Sequence, residues 1–138
     1  MQNSSQPLLV VEDDPNDLFF LERALRKARL NLTVRSVTNG EQAIKYLSGQ
    51  APFADRQAYP IPYSILLDLK MPFVNGFQVL EWVRSQPALS KIQIFVLTGS
   101  SVERDRDRAL ELGARGYLVK PPTPELLLEV LSAKQVSP

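Results

Sequence analysis

The chain's pattern predicts an α/β domain, a doubly wound five-stranded parallel sheet with helices on both faces. Three observations predict it. Short β-branched or aliphatic runs alternate with longer amphipathic stretches. The stretches between runs are long enough for parallel crossovers. Helix-start residues follow directly on several of the runs. A length of 138 residues suits one domain, taken as 1–138 with a core of about 7–134, and is too short for two ordinary ones.

Each element has its own local reason. Leu8–Val11 is a compact apolar run, suited to a strand buried on both faces. Asp14 then offers a cap, Pro15 fits the first helical position, and Asp17 favours the positive end of the helix dipole. Leu18, Leu21, Leu25 and Ala28 recur at helical spacing to about Leu30. Leu32–Val37 reads as a second strand. Asn39-Gly40 turns the chain into a short helix carrying Ala43, Ile44 and Leu47, which ends near Gly49. Residues 50–62 are irregular, because Pro52, Pro60 and Pro62 each remove a backbone donor. Ile65–Leu67 is the third strand, ending at Asp68. Phe77, Leu80 and Val83, with Trp82 nearby, mark a helix, and Ile92–Leu97 a strand. Val102–Leu112 is a charge-rich helix stopped by Gly113, followed by a last strand over Gly116–Val119. Thr123 caps and Pro124 starts the closing helix, which carries Leu126–Leu131.

Composition removes whole classes of function. With 16 Lys+Arg against 15 Asp+Glu the formal charge is +1, without the basic excess of a domain that binds nucleic acid through its phosphates. No apolar run approaches the roughly 20 residues that cross a bilayer. The first six residues do not read as a secretory signal, so a cytoplasmic protein is expected. The chain has no Cys, which removes disulfides and thiolate zinc sites, and no His, which removes imidazole acid–base catalysis. A metal here must sit among oxygens, which favours Mg²⁺, Mn²⁺ or Ca²⁺.

In open sheets of this kind, ligands bind beyond the carboxyl ends of the strands. The residues expected there are Glu12 and Asp13 after the first strand, Asp68 at the third, Thr98 at the fourth and Lys120 at the fifth. Three carboxylates this close repel one another unless a positive charge intervenes. With one Lys and a divalent cation their charges sum to zero, leaving a site ready for an incoming anion. Mg²⁺ fits, since it takes a few protein oxygens, waters and a substrate phosphate. Asp68 has the placing of a carboxylate nucleophile, Lys120 neutralises a phosphoryl oxygen, and the Thr98 hydroxyl donates to another. Polar residues that merely end strands and cap helices are the plain alternative for any single one of them.

These residues lie in segments that resemble the receiver domain of two-component response regulators. The segments are Leu9-Val-Val-Glu-Asp13, Leu66-Leu-Asp-Leu-Lys-Met-Pro72 with Gly76, Leu97-Thr-Gly99 and Gly116-Tyr-Leu-Val-Lys-Pro121. The resemblance implies a flavodoxin-like sheet and a phosphoacceptor at Asp68, served by a His on a separate sensor histidine kinase. It implies Mg²⁺, with Mn²⁺ as the alternative ion, on Asp13, Asp68 and the backbone carbonyl of Lys70, with Glu12 acting through water. It assigns Thr98 and Lys120 to the phosphoryl group, a cis bond to Pro121, and a switch made of Thr98 and the Tyr117 ring. Tyr117 reads equally as a half-exposed strand aromatic. Phosphorylation adds about −1.5 to −2 charge. It is expected to draw the Thr98 loop and Lys120 inward, biasing the face of the fourth helix, fifth strand and fifth helix.

Other features sit beside that pattern. Asp14 reads as a cap rather than a metal ligand. Lys70 and Ser100 flank the route of an attacking water and are unsuited to orient it, so a long-lived acyl phosphate is expected. The alternating charges of Glu103–Arg108 read as a solvated helix face, with partner binding or self-association as the sharper alternative. The long 50–63 segment, with no output domain expected, resembles the small response regulators paired with bacterial phytochromes, a group that tends to form homodimers. That segment is either an ordinary surface loop or, through Phe53, Tyr59 and Tyr63, a docking element. The enzyme alternative is a haloacid-dehalogenase-like phosphatase or phosphotransferase. It wants a second Asp two residues after the nucleophile, where this chain has Lys70. A nucleotide-binding module lacks its glycine motif.

Overall fold

Leu8, Leu9, Val10 and Val11 are all buried because their strand, β1 (Gln6–Val11), has a paired strand on each side and a helical layer on each face. The computed structural model describes residues 5–99 and 103–132. The other elements are α1 (Pro15–Ala28), β2 (Leu32–Val37), α2 (Gly40–Ser48), β3 (Ser64–Asp68), α3 (Gly76–Arg84), β4 (Gln93–Thr98), α4 (Glu103–Glu111), β5 (Gly116–Val119) and α5 (Pro124–Ser132). The limits read from the sequence agree with these to within two residues. The expected helix start at Val102 and the core limit at 134 lie outside the described residues. A 3-10 turn over Pro87–Leu89 was not expected.

The strands are parallel, in the order β2-β1-β3-β4-β5. The chain winds one way to β2 and the other way through β3 to β5, so the direction of winding reverses between β1 and β3. Alternate side chains along each strand separate two cores. Leu9, Val11, Ile65, Leu67, Ile94 and Val96 pack with α2, α3 and Ala109 of α4. Leu8, Val10, Leu66, Phe95, Leu97 and Leu118 pack with α1 and α5. Among the described residues no helix is long and apolar enough to cross a membrane.

Local chemistry fixes the helix starts. Asp14 accepts from the amides of Asn16 and Asp17, so its carboxylate is committed to the cap. Asn39 caps α2, Asn75 and Gln78 form a capping box on α3, and Thr123 Oγ1 accepts from Leu126 at α5. On α4, Arg104, Arg106, Asp107 and Arg108 are exposed, and Arg108 lies 4.3 Å over the Phe77 ring.

The 50–63 segment is packed against its own domain. The Phe53 ring packs tilted against Tyr46 and the Tyr59 ring meets it edge-on, at centroid separations of 5.2 and 5.9 Å. Arg56 donates to the carbonyls of Tyr46 (2.8 Å) and Leu47 (3.1 Å), closing the C-terminal end of α2. Tyr46 Oη donates to Pro60 O at 3.0 Å, and Arg35 Nε to Ala58 O at 2.8 Å. The rings of Phe53 and Tyr59 therefore serve the fold, which favours the ordinary-loop reading of this segment.

Candidate functional site

Because the strands are parallel, their carboxyl ends meet along one rim. The register pairs Val11 with Leu67, Asp68 with Leu97, and Thr98 with Val119. Glu12 and Asp13 leave β1 there, Asp68 ends β3, Thr98 ends β4, and Lys120 follows β5. Carboxylate oxygens of Glu12, Asp13 and Asp68 lie within 4.8 Å of one another. Lys120 Nζ is 2.7 Å from Glu12 Oε1 and 3.4 Å from Asp68 Oδ2.

The charges are deeply set. Glu12 and Asp68 are only 1% and 4% exposed, while Asp13 faces solvent. Each carboxylate is held from its own strand end. The amide of Lys70 donates to Asp68 Oδ1 at 3.1 Å, and that of Asp14 to Glu12 Oε2 at 3.1 Å. Glu12 Oε1 accepts no well-aligned hydrogen bond and is met by the Lys120 ammonium as an ion pair.

Burial, and then the charge of Glu12, push the Asp68 carboxyl up to about 7, with Lys120 and the Lys70 amide pulling the other way. Burial works against the charge on Lys120 but is outweighed by Glu12, Asp17 and Asp68, which hold its ammonium above the ordinary lysine range.

A crowded set of oxygens with excess negative charge, and neither His nor Cys in the chain, fits a hard divalent cation. Glu12, Asp13 and Asp68 are the side chains that would surround it.

The remaining expected residues are placed as follows. Thr98 is fully buried at the end of β4, and its carbonyl accepts from the Lys120 amide at 2.7 Å. The Lys120–Pro121 peptide is cis. Tyr117 is half-buried on β5 against the core shared by α2, α3 and α4. The Lys70 side chain is exposed, and Ser100 lies outside the described residues.

The sequence reading missed the part of Asp17. Its Oδ2 sits 2.9 Å from Lys120 Nζ, so Asp17 joins Glu12 and Asp68 around the ammonium; with Asp13 the rim carries four carboxylates, not three, and the expected charge balance falls short by one. The available signal was position. A helix that starts directly after β1 carries its first-turn side chains over the rim.

Gly76 ties α3 to the end of β3. A Cβ there would lie 2.6 Å from Asp68 O and 2.7 Å from Leu69 Cα, and the Gly76 amide donates to Leu69 O. Gly76→Ala is therefore expected to lower stability by about 1–3 kcal/mol, since the new atom meets backbone that must shift. Thermal unfolding checks this, and an unchanged midpoint would contradict the contact.

Comparisons with known proteins agree with this geometry. A family model described as "Response regulator receiver domain" matches residues 8–132. The transcriptional regulatory protein GltR of Pseudomonas aeruginosa is 35% identical over 133 residues, covering 96% of this chain and 50% of GltR. The chain spans 50%, 26% and 52% of the length of three curated relatives. Among solved structures, the bacteriophytochrome response regulator RtBRR is 36% identical with a TM-score of 0.84, covering 97% of this chain and 82% of that one. The Mn(2+)-bound form of response regulator Rcp1, a protein of Synechocystis, is 27% identical with a TM-score of 0.80, covering 96% and 97%. The haloacid-dehalogenase alternative finds no support.

Proposed function

The chain belongs to the response regulator receiver domain family of two-component signalling, and from that premise we propose that Asp68 accepts a phosphoryl group from a sensor histidine kinase. The observation that carries this is the meeting of Glu12, Asp13 and Asp68 within 4.8 Å, with Lys120 reaching Asp68. The transfer forms a bond from an Asp68 carboxylate oxygen to phosphorus as the donor's P–N bond breaks. Family membership and the oxygen cluster support a divalent cation at the site, and Mg²⁺ is the ion proposed, with Mn²⁺ able to replace it. Asp13, Asp68 and the Lys70 carbonyl would hold it, Glu12 acting through water. When bound, it offsets the carboxylate charges and the charge on the phosphoryl oxygens. Lys120 neutralises one equatorial oxygen and Thr98 donates to another.

The output is a change in a protein-binding face. Thr98 moves towards the phosphoryl group and Tyr117 follows, altering the surface of α4, β5 and α5. Exposed Leu110, Val119 and Leu128, one on each of those elements, support homodimer formation there. Likeness to a bacteriophytochrome response regulator makes a bacterial phytochrome kinase the proposed donor. Action in the cytoplasm, without nucleic-acid binding and without turnover of a separate substrate, completes the reading.

The test is to incubate the chain with acetyl phosphate and Mg²⁺, trap the acyl phosphate with borohydride and map the peptides. Modification at Asp68 is the expected result, and modification confined to other residues refutes the assignment. The exposed Lys70 side chain supports slow hydrolysis, because an ammonium two residues from the acceptor does not activate water. A half-life of minutes or longer is expected when loss of the phosphoryl group is followed by mass, and decay within seconds would contradict it.

A further inference from the structure

The Lys120 ammonium is divided among three carboxylates, and one of them has no part in the acceptor scheme. Asp17 Oδ2 lies 2.9 Å from Nζ, closer than Asp68 at 3.4 Å and nearly as close as Glu12 at 2.7 Å. Asp17 belongs to the first turn of α1, fixed by the Asp14 cap and Pro15. Its side chain is 41% exposed, against 1% for Glu12 and 5% for Asp68. It is therefore the most solvent-facing of the three pairs, the one in which water can most readily take the carboxylate's place. The pair lines a cavity of about 300 Å³ shared with Phe20, Pro121 and Pro122, which leaves the lysine room to move.

The structure assigns Asp17 the role of a positioning residue, which holds the Lys120 ammonium off the acceptor carboxylate until phosphoryl oxygens compete for it. This rests on the acceptor reading above. With Asp17 present, Lys120 stands at ion-pair rather than hydrogen-bond distance from Asp68, and the Asp68 oxygens stay open to a cation. Without it, Glu12 and Asp68 alone attract the ammonium, which closes on Asp68 and places a positive charge where the divalent ion must go. On phosphorylation the exposed Asp17 pair is the one to yield, and Lys120 turns to the new anion.

The experiment is calorimetric titration with Mg²⁺ and no phosphodonor, so that it reads the site and not the transfer. Asp17→Asn is expected to weaken Mg²⁺ binding by about fivefold, the effect of one charge displaced at a partly solvated site. Asp17→Glu, which keeps the charge and can reach Lys120, is expected to restore affinity to within about twofold of wild type. The double variant Asn16→Asp, Asp17→Asn keeps one carboxylate in the first turn of α1 but on an exposed position, and is expected to remain weak. In a Lys120→Met background, Asp17→Asn is expected to change nothing, because the residue acts through the lysine. Unchanged affinity in Asp17→Asn overturns the proposal. Recovery in the double variant also overturns it, since that would show only a general field of the helix end. Failure of the wild type to bind Mg²⁺ overturns this and the acceptor reading together, whereas wild-type binding with an inert Asp17 overturns this alone.

Discussion

Asp68→Asn is expected to abolish phosphoryl acceptance, with the initial rate from acetyl phosphate falling by at least about a hundredfold, because an amide lacks the anionic oxygen that attacks phosphorus. The loss should come without unfolding. Asp68 is buried beside Glu12, and the charge of Glu12 works against its ionisation. Asparagine has nearly the same shape and removes one member of that repelling pair, so the thermal midpoint is expected to hold or rise. Its amide oxygen can still accept from Lys70, and its NH₂ can donate to Glu12. Mass spectrometry and calorimetry on the same preparation separate the two effects. A variant that cannot be phosphorylated because it is unfolded would leave its midpoint well below that of wild type.

Lys120→Met is expected to have the other large effect, on stability as well as on transfer. The ammonium is the cation that meets Glu12 at 2.7 Å and Asp68 at 3.4 Å. Removing it leaves two buried carboxylates without their countercharge, at a cost of about 3–5 kcal/mol for breaking such a group. Protonation of a carboxylate limits that loss, and a divalent ion reverses most of it. The variant should therefore unfold at a clearly lower temperature than wild type in EDTA and recover with Mg²⁺, by a larger increment than wild type shows. Even at saturating Mg²⁺ its phosphorylation should be slower by about 10²- to 10³-fold, the usual effect of removing a preorganised charge from a transition state. Equal midpoints in EDTA would show that the lysine does not carry the electrostatic balance of the rim.

The parts of this molecule legible in the sequence are those fixed by neighbouring residues. Leu8–Val11 and Ile65–Leu67 announce buried strands by being apolar on both faces. Asp14-Pro15 and Thr123-Pro124 announce helix starts because a cap and its helix are adjacent. The strand ends then place Glu12, Asp13, Asp68, Thr98 and Lys120 on one rim, since parallel strands share a direction. What escaped depends on contacts distant in sequence. Asp17 looks like any first-turn acid until Lys120, 103 residues away, is seen beside it. Arg56 carries no motif, because its acceptors are the carbonyls that end α2. The Pro87–Leu89 turn is too short to show a period. Phe73, 96% exposed and at φ 65°, breaks the usual preference of bulky side chains for negative φ, and nothing in its own sequence neighbourhood signals that.

The most direct test is the intact mass of the wild-type chain after acetyl phosphate, measured with Mg²⁺ and again with EDTA. One added phosphoryl group with the ion, and none without it, is the result expected from a rim of crowded carboxylates that needs a dication to receive an anion. An unmodified chain in Mg²⁺, or equal phosphorylation in EDTA, would contradict that account.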